Sequence, residues 1–442
     1  MTPERERRIV EVAEYGRRIV EQVSLSERDL RLIETSGLDS RLGLRPLVRD
    51  RLEIRADCHV GVVTLDSLEI RVVPKLVGGS LAVLQMVEYA SDSAALRHFD
   101  LPKTFATGGP HLRDLIALML ARECERLLRM GPRHDYRTRV AILPAVRGRL
   151  LADRQLLSHY GRLDRLECRY DERSTDVIDN QLCAVALHAA ARTTTEPAVR
   201  AHVRRLAADF GRLCVPRGLD LRSVAAGLHY GRHNAHYRSA HRWALLLLDG
   251  GGIRDLFTAG DADDRVFLLD MNTLFEAFVT RLAIRALRPL GIDVRGQSRH
   301  GGILVHEDTG ATHTEIRPDL LLTDGHGPSA WRRPVDIKYK LYADRKLSSG
   351  DLYQSFLYAW ALGARPGTDE VAECHVVYAS EGDAPARTVA VRAAGGRPGA
   401  RITAHALAVP VALDRLAAGQ DPKVLSRVAS MLATRDRRRE TF

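Results

Sequence analysis

The spacing of apolar side chains along the chain changes period repeatedly, and each change marks an expected element. Residues 2–23 place Ile9, Val12, Ile19 and Val23 at roughly helical intervals, behind Thr2 as an N-cap and Pro3 in the first turn, which predicts an opening helix. In "HVGVVTLDSLEIRVVPKL" (59–76) the period drops to two. Val60, Val62 and Thr64 alternate, Asp66-Ser67 turns, and Leu68, Ile70 and Val72 alternate again, predicting a β-hairpin whose second strand ends or becomes an edge at Pro74. Helical spacing returns in "HLRDLIALMLARECERLLRMG" from 111, stopped by Gly131. A short extended piece near "RVAILPAVRGRLL" follows. Further helices are predicted in "DVIDNQLCAVALHAAART", "EPAVRAHVRRLAADFGRLC" and "YRSAHRWALLLLDGG". Past the Gly- and Asp-rich stretches 249–255 and 259–264 come a helix, hairpin-like strands around "GGILVHED" and "THTEIRPDLLLTD", the strand "PVDIKYK", a helix from about 350, and the strand "CHVVYAS".

These elements predict an α+β multidomain protein. Its parts are a small α+β N-terminal domain (1–104), a mostly helical connector (105–264), a C-terminal α/β domain with a mixed central sheet (265–412), and a basic helical tail (413–442).

Composition narrows the class. A 442-residue chain that is 45% hydrophobic and 28% charged has ample material for a core. The net charge of +10 and pI near 9.5 admit nucleic acid as a partner. Much of the excess is Arg, whose planar fork suits phosphate. Six scattered cysteines without a C-x-x-C pair argue against a metal ribbon or disulfide framework. The charged start "MTPERERRIVEV" is unlike a signal peptide, and the apolar run "WALLLL" is far too short for a bilayer. The expectation is a cytoplasmic protein with no membrane association.

Candidate chemistry gathers in "EIRPDLLLTDGHGPSAWRRPVDIKYK" (315–340). Side chains alternate along a strand, so Asp336 and Lys338 share one face of "VDIKYK". Asp319 precedes the apolar run that would pair beside it. Two such strands can bring Asp319 and Asp336 to one hard Mg²⁺, with Mn²⁺ as the alternative ion and the Ile337 carbonyl as a further oxygen. Lys338 would orient or deprotonate a water and offset phosphate charge. Glu276 sits at the edge of the stripe formed by Met271, Leu274, Phe275, Phe278 and Leu282, from which it could reach the same ion. In "SSGDLYQSFLYAWALG", Ser348 and Asp351 have a capping-box-like spacing, while Gln354 and Tyr358 lie four apart on one face. The competing structural readings are surface charge on a hairpin for the Asp and Lys residues, a solvated helix position for Glu276, and ordinary contacts for Gln354 and Tyr358.

In this order the residues resemble the PD-(D/E)xK nuclease superfamily, in the variant whose last helix carries Gln-x-x-x-Tyr. The closer resemblance is to the McrC family, the nuclease subunits of methylcytosine-dependent restriction systems. It rests on "MNTLFEAFV", "IRPDLLL", "VDIKYK", "DLYQSFLYA", "GVVTLDSLEIRVVPKL" and "CRYDERSTDVIDNQLCAVAL", spanning about 55 to 380. The resemblance implies a Mg²⁺-dependent DNA endonuclease with catalytic roles at Asp319, Asp336 and Lys338 and support from Glu276, Gln354 and Tyr358. It further implies an N-terminal domain docking into a separate McrB-like AAA+ GTPase ring, with double-stranded DNA as substrate. The chain has no Gly-Lys dipeptide, hence no P-loop of its own. Lys75 and the loop "VGGS" (77–80) are candidate docking elements beside the reading as an ordinary turn. Two alternatives remain: a non-catalytic adaptor activating a ring NTPase, and a stand-alone RecB-like nuclease.

Other features attract weaker readings. His229, His233, His236 and His241 lie among Arg232, Arg238 and Arg242, which would repel zinc, so DNA-backbone contact or plain surface is preferred. "YDERSTD" (170–176) reads as structural hydrogen bonding, and the terminal "RDRRRETF" as a solvated end or a phosphate contact.

Overall fold

The opening segment is strand, not helix. In the computed structural model, which describes residues 8–35, 38, 41–75, 79–90, 112–215, 224, 227–249, 265–324, 331–340, 347–363, 371–392 and 398–433, β1 (Arg8–Ala13) and β2 (Arg17–Val20) replace the predicted opening helix. Val10 and Val12 are buried while Ile9 is exposed, a period of two that β-branched side chains favour. The chain reverses at Tyr15, whose φ of 58° no helix permits. After α1 (Glu27–Thr35) come β3 (Leu42–Leu47), β4 (Arg51–Ala56), β5 (His59–Thr64), β6 (Leu68–Val73) and α2 (Ser80–Ala90). The expected hairpin is β5–β6, ending one residue before Pro74. β1 pairs with β6 in parallel, and β2-β4-β3 form a second small sheet. Val10, Val12, Leu42, Leu44, Leu52, Ile54, Leu68 and Ile70 make their shared core.

The polypeptide divides into two compact units, residues 1–112 with 255–442, and residues 113–254. The second unit contains all but the first residue of α3 (Leu112–Met130), then β7 (Asp135–Leu143), β8 (Arg149–Leu150), α4 (Ala152–Ser158), β9 (Leu166–Ser174), α5 (Ile178–Thr193), α6 (Pro197–Leu213) and α7 (Arg238–Asp249). Its sheet, β7-β9-β8, is wider than the short extended piece expected there. α5 packs against α6 and α7. The segment 170–176 lies mostly in β9 and makes structural contacts: Thr138 donates to Asp171 at 2.7 Å, and Arg139 and Arg137 pair with Glu172 and Asp176.

From residue 265 a strand comes first. β10 (Val266–Asp270) adds antiparallel to β5, and Asp270 caps α8 (Met271–Leu287) by accepting from the Asn272 and Thr273 amides. Then follow β11 (Ile292–Gly296), β12 (His300–Val305), β13 (Thr312–Ile316), β14 (Leu320–Asp324), β15 (Trp331–Lys338), α9 (Ser349–Leu362), β16 (Ala372–Ser380), β17 (Arg387–Arg392), β18 (Pro398–Ala408), α10 (Val409–Ala417) and α11 (Asp421–Ala433). The main sheet runs β11-β14-β15-β16-β18-β17. β15, β16 and β18 are parallel and the flanking pairs antiparallel, so the sheet is mixed. α9 covers β15, β16 and β18; α8 packs on β11 and β15. The region after 413 is docked: α11 packs against α8 through buried Val424, Val428 and Leu432, and Arg285 pairs with Asp421 at 2.9 Å. The terminal Arg cluster and the loop 325–330 lie outside the described residues.

Candidate active site

The antiparallel register Leu320↔Val335 sets Asp319, one residue ahead of β14, beside Asp336 on β15. Pro318 has no N–H to continue the ladder. Beyond the last paired residues, the Ile337 amide donates to the Asp319 Oδ2 at 2.6 Å. Ile337 therefore meets the site through its N–H. Asp336 is 0% exposed, held in a strand flanked on both sides. Two residues on, the Lys338 Nζ lies 3.0 Å from Asp336 Oδ2. Apart from that ammonium and the adjoining Asp319 carboxyl, the Asp336 oxygens have no hydrogen-bond partner.

α9 supplies the far wall. Ser348 caps it, accepting from the Asp351 amide as the spacing predicts, and this aims the first turn at β15. Lys338 Nζ donates to Gln354 Oε1 at 3.2 Å, Gln354 Nε2 donates to Tyr358 Oη at 2.8 Å, and Tyr358 donates to the Arg317 carbonyl at 2.9 Å. That relay fixes the amine from behind. Glu276, half-buried on α8, joins the group through Gln297. The Gln297 Nε2 donates to Glu276 Oε1 and stands 3.5 Å from Asp319 Oδ1, while its amide donates to the Asp319 carbonyl at 2.9 Å.

Crowding carboxylates in a half-dry place shifts their titration. Burial, then the neighbouring Asp319 carboxylate, pushes Asp336 up to about 7 against the pull of Lys338. Burial, then Glu276, pushes Asp319 up to about 6, opposed by the Ile337 amide and Lys338. Glu276 is raised by burial, partly offset by Gln297 and Arg317. For Lys338, burial works downward, but Asp336 and then Asp319 outweigh it, and the amine is held above its ordinary value. The pair thus resists full ionisation while the lysine stays charged.

A buried carboxylate pair with so few donors is costly, and a divalent cation is a group that would satisfy it. Asp319 and Asp336 fit that role. Among the described residues no three His, Cys, Asp or Glu side chains group closely enough to hold an ion by themselves. The fit is that of an ion keeping several waters, as Mg²⁺ does.

Sequence reasoning missed Gln297 and Arg317. Gln297 sits just past a strand end with φ 51°, where no periodic signal exists, and Arg317 contributes charge and a carbonyl from the Ile-Arg-Pro-Asp turn. Of the four histidines, His229 and His233 are exposed, His236 is half-buried and His241 is built into the core. His241 is 0% exposed, with Nε2 at 3.1 Å from the Asp179 carbonyl and Nδ1 at 3.1 Å from Tyr230 Oη, and His229 Nδ1 lies 2.9 Å from the Gly227 carbonyl. Lys75 is exposed, whereas residues 77 and 78 of "VGGS" lie outside the described residues. Away from this site, Arg17, Arg41, Arg45 and Arg55 line a cavity of about 570 Å³ on the β2-β4-β3 sheet.

Fold and site together define an α+β protein of two units whose mixed sheet presents a buried aspartate pair beside a charged lysine. The chain matches the family described as McrBC 5-methylcytosine restriction system component over residues 54–369, well over half its length, and it belongs to that family. None of the curated proteins compared matches it. Its fold is that of a chain in the refined half-complex from the tetradecameric assembly of Thermococcus gammatolerans McrB AAA+ hexamers with bound McrC. The two share 16% identity at a TM-score of 0.64, over 96% of this chain and 99% of that one. A chain of the cryo-EM structure of the Thermococcus gammatolerans McrBC complex aligns at 19% identity and a TM-score of 0.46, over 63% of this chain and 88% of the other.

Proposed function

We propose that this chain is the McrC-type subunit of an McrBC-type restriction complex and its Mg²⁺-dependent, PD-(D/E)xK-class DNA endonuclease. The observation that carries the reading is Asp336: fully buried, partnered by nothing but the Lys338 ammonium and the adjoining Asp319 carboxyl. A structural aspartate so placed would be a liability; a metal-holding one has a reason to be there. Asp319 and Asp336 would hold the ion, with Glu276 reaching it through water and the Ile337 carbonyl as a further oxygen. When bound, Mg²⁺ supplies Lewis-acid polarisation of the phosphate and a more acidic water.

The chain's own residues do the rest. Lys338, kept protonated by the aspartates, donates to the phosphate oxygens as charge builds on them. Gln354 and Tyr358 hold that amine in place. Water oxygen bonds to phosphorus, the phosphorus–oxygen bond to the leaving sugar breaks, and the proton lost by the water ends on bulk solvent or the leaving oxygen.

An McrB-like AAA+ GTPase ring is the proposed partner. The missing P-loop and the 96% coverage by an McrB–McrC assembly chain support it. Double-stranded DNA is the proposed substrate and the cytoplasm the proposed location. Among the described residues, no helix is long and apolar enough to cross a membrane. The test is reconstitution with the ring, GTP, Mg²⁺ and methylated DNA. The wild-type complex should cut, while Asp336→Ala and Lys338→Ala proteins should assemble without cutting. Equal cleavage by the variants would sink the site. A ring stimulated normally by a wild-type chain that never nicks DNA, in Mg²⁺ or Mn²⁺, would mark a non-catalytic adaptor instead.

A further inference from the structure

Tyr339, the residue after the catalytic lysine, is 2% exposed and held at both polar ends by two consecutive residues far away in sequence. Its hydroxyl donates to the Glu14 carboxylate at 3.0 and 3.2 Å, and its carbonyl accepts from the Tyr15 hydroxyl at 3.2 Å. Its ring lies 5.7 Å from that of Phe275, the neighbour of Glu276 on α8.

The corner that makes these bonds is built with care. Glu14 is 1% exposed; its amide donates to the Val73 carbonyl at 3.0 Å, and its Oε1 accepts from the Lys75 amide at 2.6 Å. Tyr15 has φ 58°, a left-handed conformation that an L side chain holds only where its surroundings over-determine it. Its amide donates to the Asp57 carbonyl at 3.1 Å. Gly16 follows, and a Cβ there would lie 2.6 Å from the Ala13 carbonyl oxygen. The strained corner thus fastens the end of β6 and the end of β4 to the residue on which Lys338 is anchored.

Resting on the nuclease reading above, we propose that Glu14 and Tyr15 are positioning residues for the phosphodiester site. They fix Tyr339, Tyr339 fixes the end of β15, and the placement of the Lys338 amine is made conditional on the β1-β6-β5 sheet.

The experiment uses the complete complex of this chain, the NTPase ring and methylated DNA, and compares wild type with Tyr339→Phe, Glu14→Ala, Glu14→Gln and Asp336→Ala. Cleavage is measured across a DNA concentration series, beside stimulation of the ring's hydrolysis. Tyr339→Phe, which removes only a hydroxyl, and Glu14→Ala should lower the saturated cutting rate about tenfold or more by displacing the amine. The half-saturating DNA concentration and the NTPase stimulation should not move. Glu14→Gln should recover most of the rate, since its amide oxygen accepts the same bonds. Cutting at the wild-type rate by Tyr339→Phe, with Asp336→Ala inactive, overturns the positioning role and leaves the nuclease reading standing. Parallel loss of cutting and NTPase stimulation also overturns it, because the corner then merely holds the sheet together. Cleavage by Asp336→Ala at the wild-type rate removes the nuclease reading itself.

Discussion

Asp179 and Asp336 are both 0% exposed aspartates, one in each compact unit, and they have opposite surroundings. Asp179, at the start of α5, has each oxygen taken: Arg133 Nη1 pairs with Oδ2 at 2.5 Å and Asn234 Nδ2 donates to Oδ1 at 3.0 Å. Around it Asn180 donates to the Arg133 and Thr175 carbonyls, and Tyr237 bridges Asn180 and the Arg133 amide. Asp336 has one ammonium, a neighbouring acid, and no other donor. A compensated buried acid holds a fold together; an uncompensated one waits for something.

The sharpest way to break this contrast is Asp179→Ala. It takes the 2.5 Å partner from Arg133 and one of two acceptors from Asn234 and should cost about 3–5 kcal/mol, read by chemical denaturation of the 113–254 unit's signal. A loss under 1 kcal/mol would mean the network is ornamental. Asp336→Asn should do the reverse. Cleavage by the assembled complex should fall at least about 10²–10³-fold, while stability without metal at neutral pH is unchanged or improved, because a poorly solvated charge is gone. A destabilised but active Asp336→Asn protein would put Asp336 in the same category as Asp179.

A third measurement, somewhat smaller in energy, uses pH and metal. Folding raises the pKa of Asp319 to about 6 and of Asp336 to about 7, so between roughly pH 4 and 7 the folded state binds more protons than the unfolded one. That contribution is complete below the unfolded value near 3.9 and is lost as pH rises through the folded values. In chelator, the stability of wild type relative to Asp336→Asn should therefore fall from pH 5 to 8. Mg²⁺ at a hundred times its Kd should add about 2.7 kcal/mol at pH 8 to wild type alone. Identical Mg²⁺ stabilisation of both proteins would remove Asp336 from the metal. The smallest expected effect belongs to Tyr358→Phe, which frees the Arg317 carbonyl and Gln354. About 1 kcal/mol of stability and a few-fold of cutting rate should go, and an unchanged rate would show that Lys338 does not need the relay.

The candidate site was legible in sequence because it is local in grammar. Alternation put Asp336 and Lys338 on one face, and a capped helix put Gln354 and Tyr358 four apart. The opening strands are hidden in the sequence because Ile9, Val12, Ile19 and Val23 fit a helical wheel. The competing period of Val10 and Val12, and the break at Tyr15, acquire meaning only once β6 is there to pair with. β10 is hidden for the same reason, since the five residues of "VFLLD" declare themselves a strand only beside β5.

The sequence by itself determined which side chains face together within each element, because strand and helix periods are properties of the backbone. Only tertiary structure decided that Asp319 would cap the Ile337 amide, that Gln297 would join Glu276 to the pair, and that Glu14 and Tyr15 would hold Tyr339. Those contacts join residues as many as 325 positions apart, and what selects them is burial and unsatisfied hydrogen-bonding groups, which do not exist until the sheets have formed.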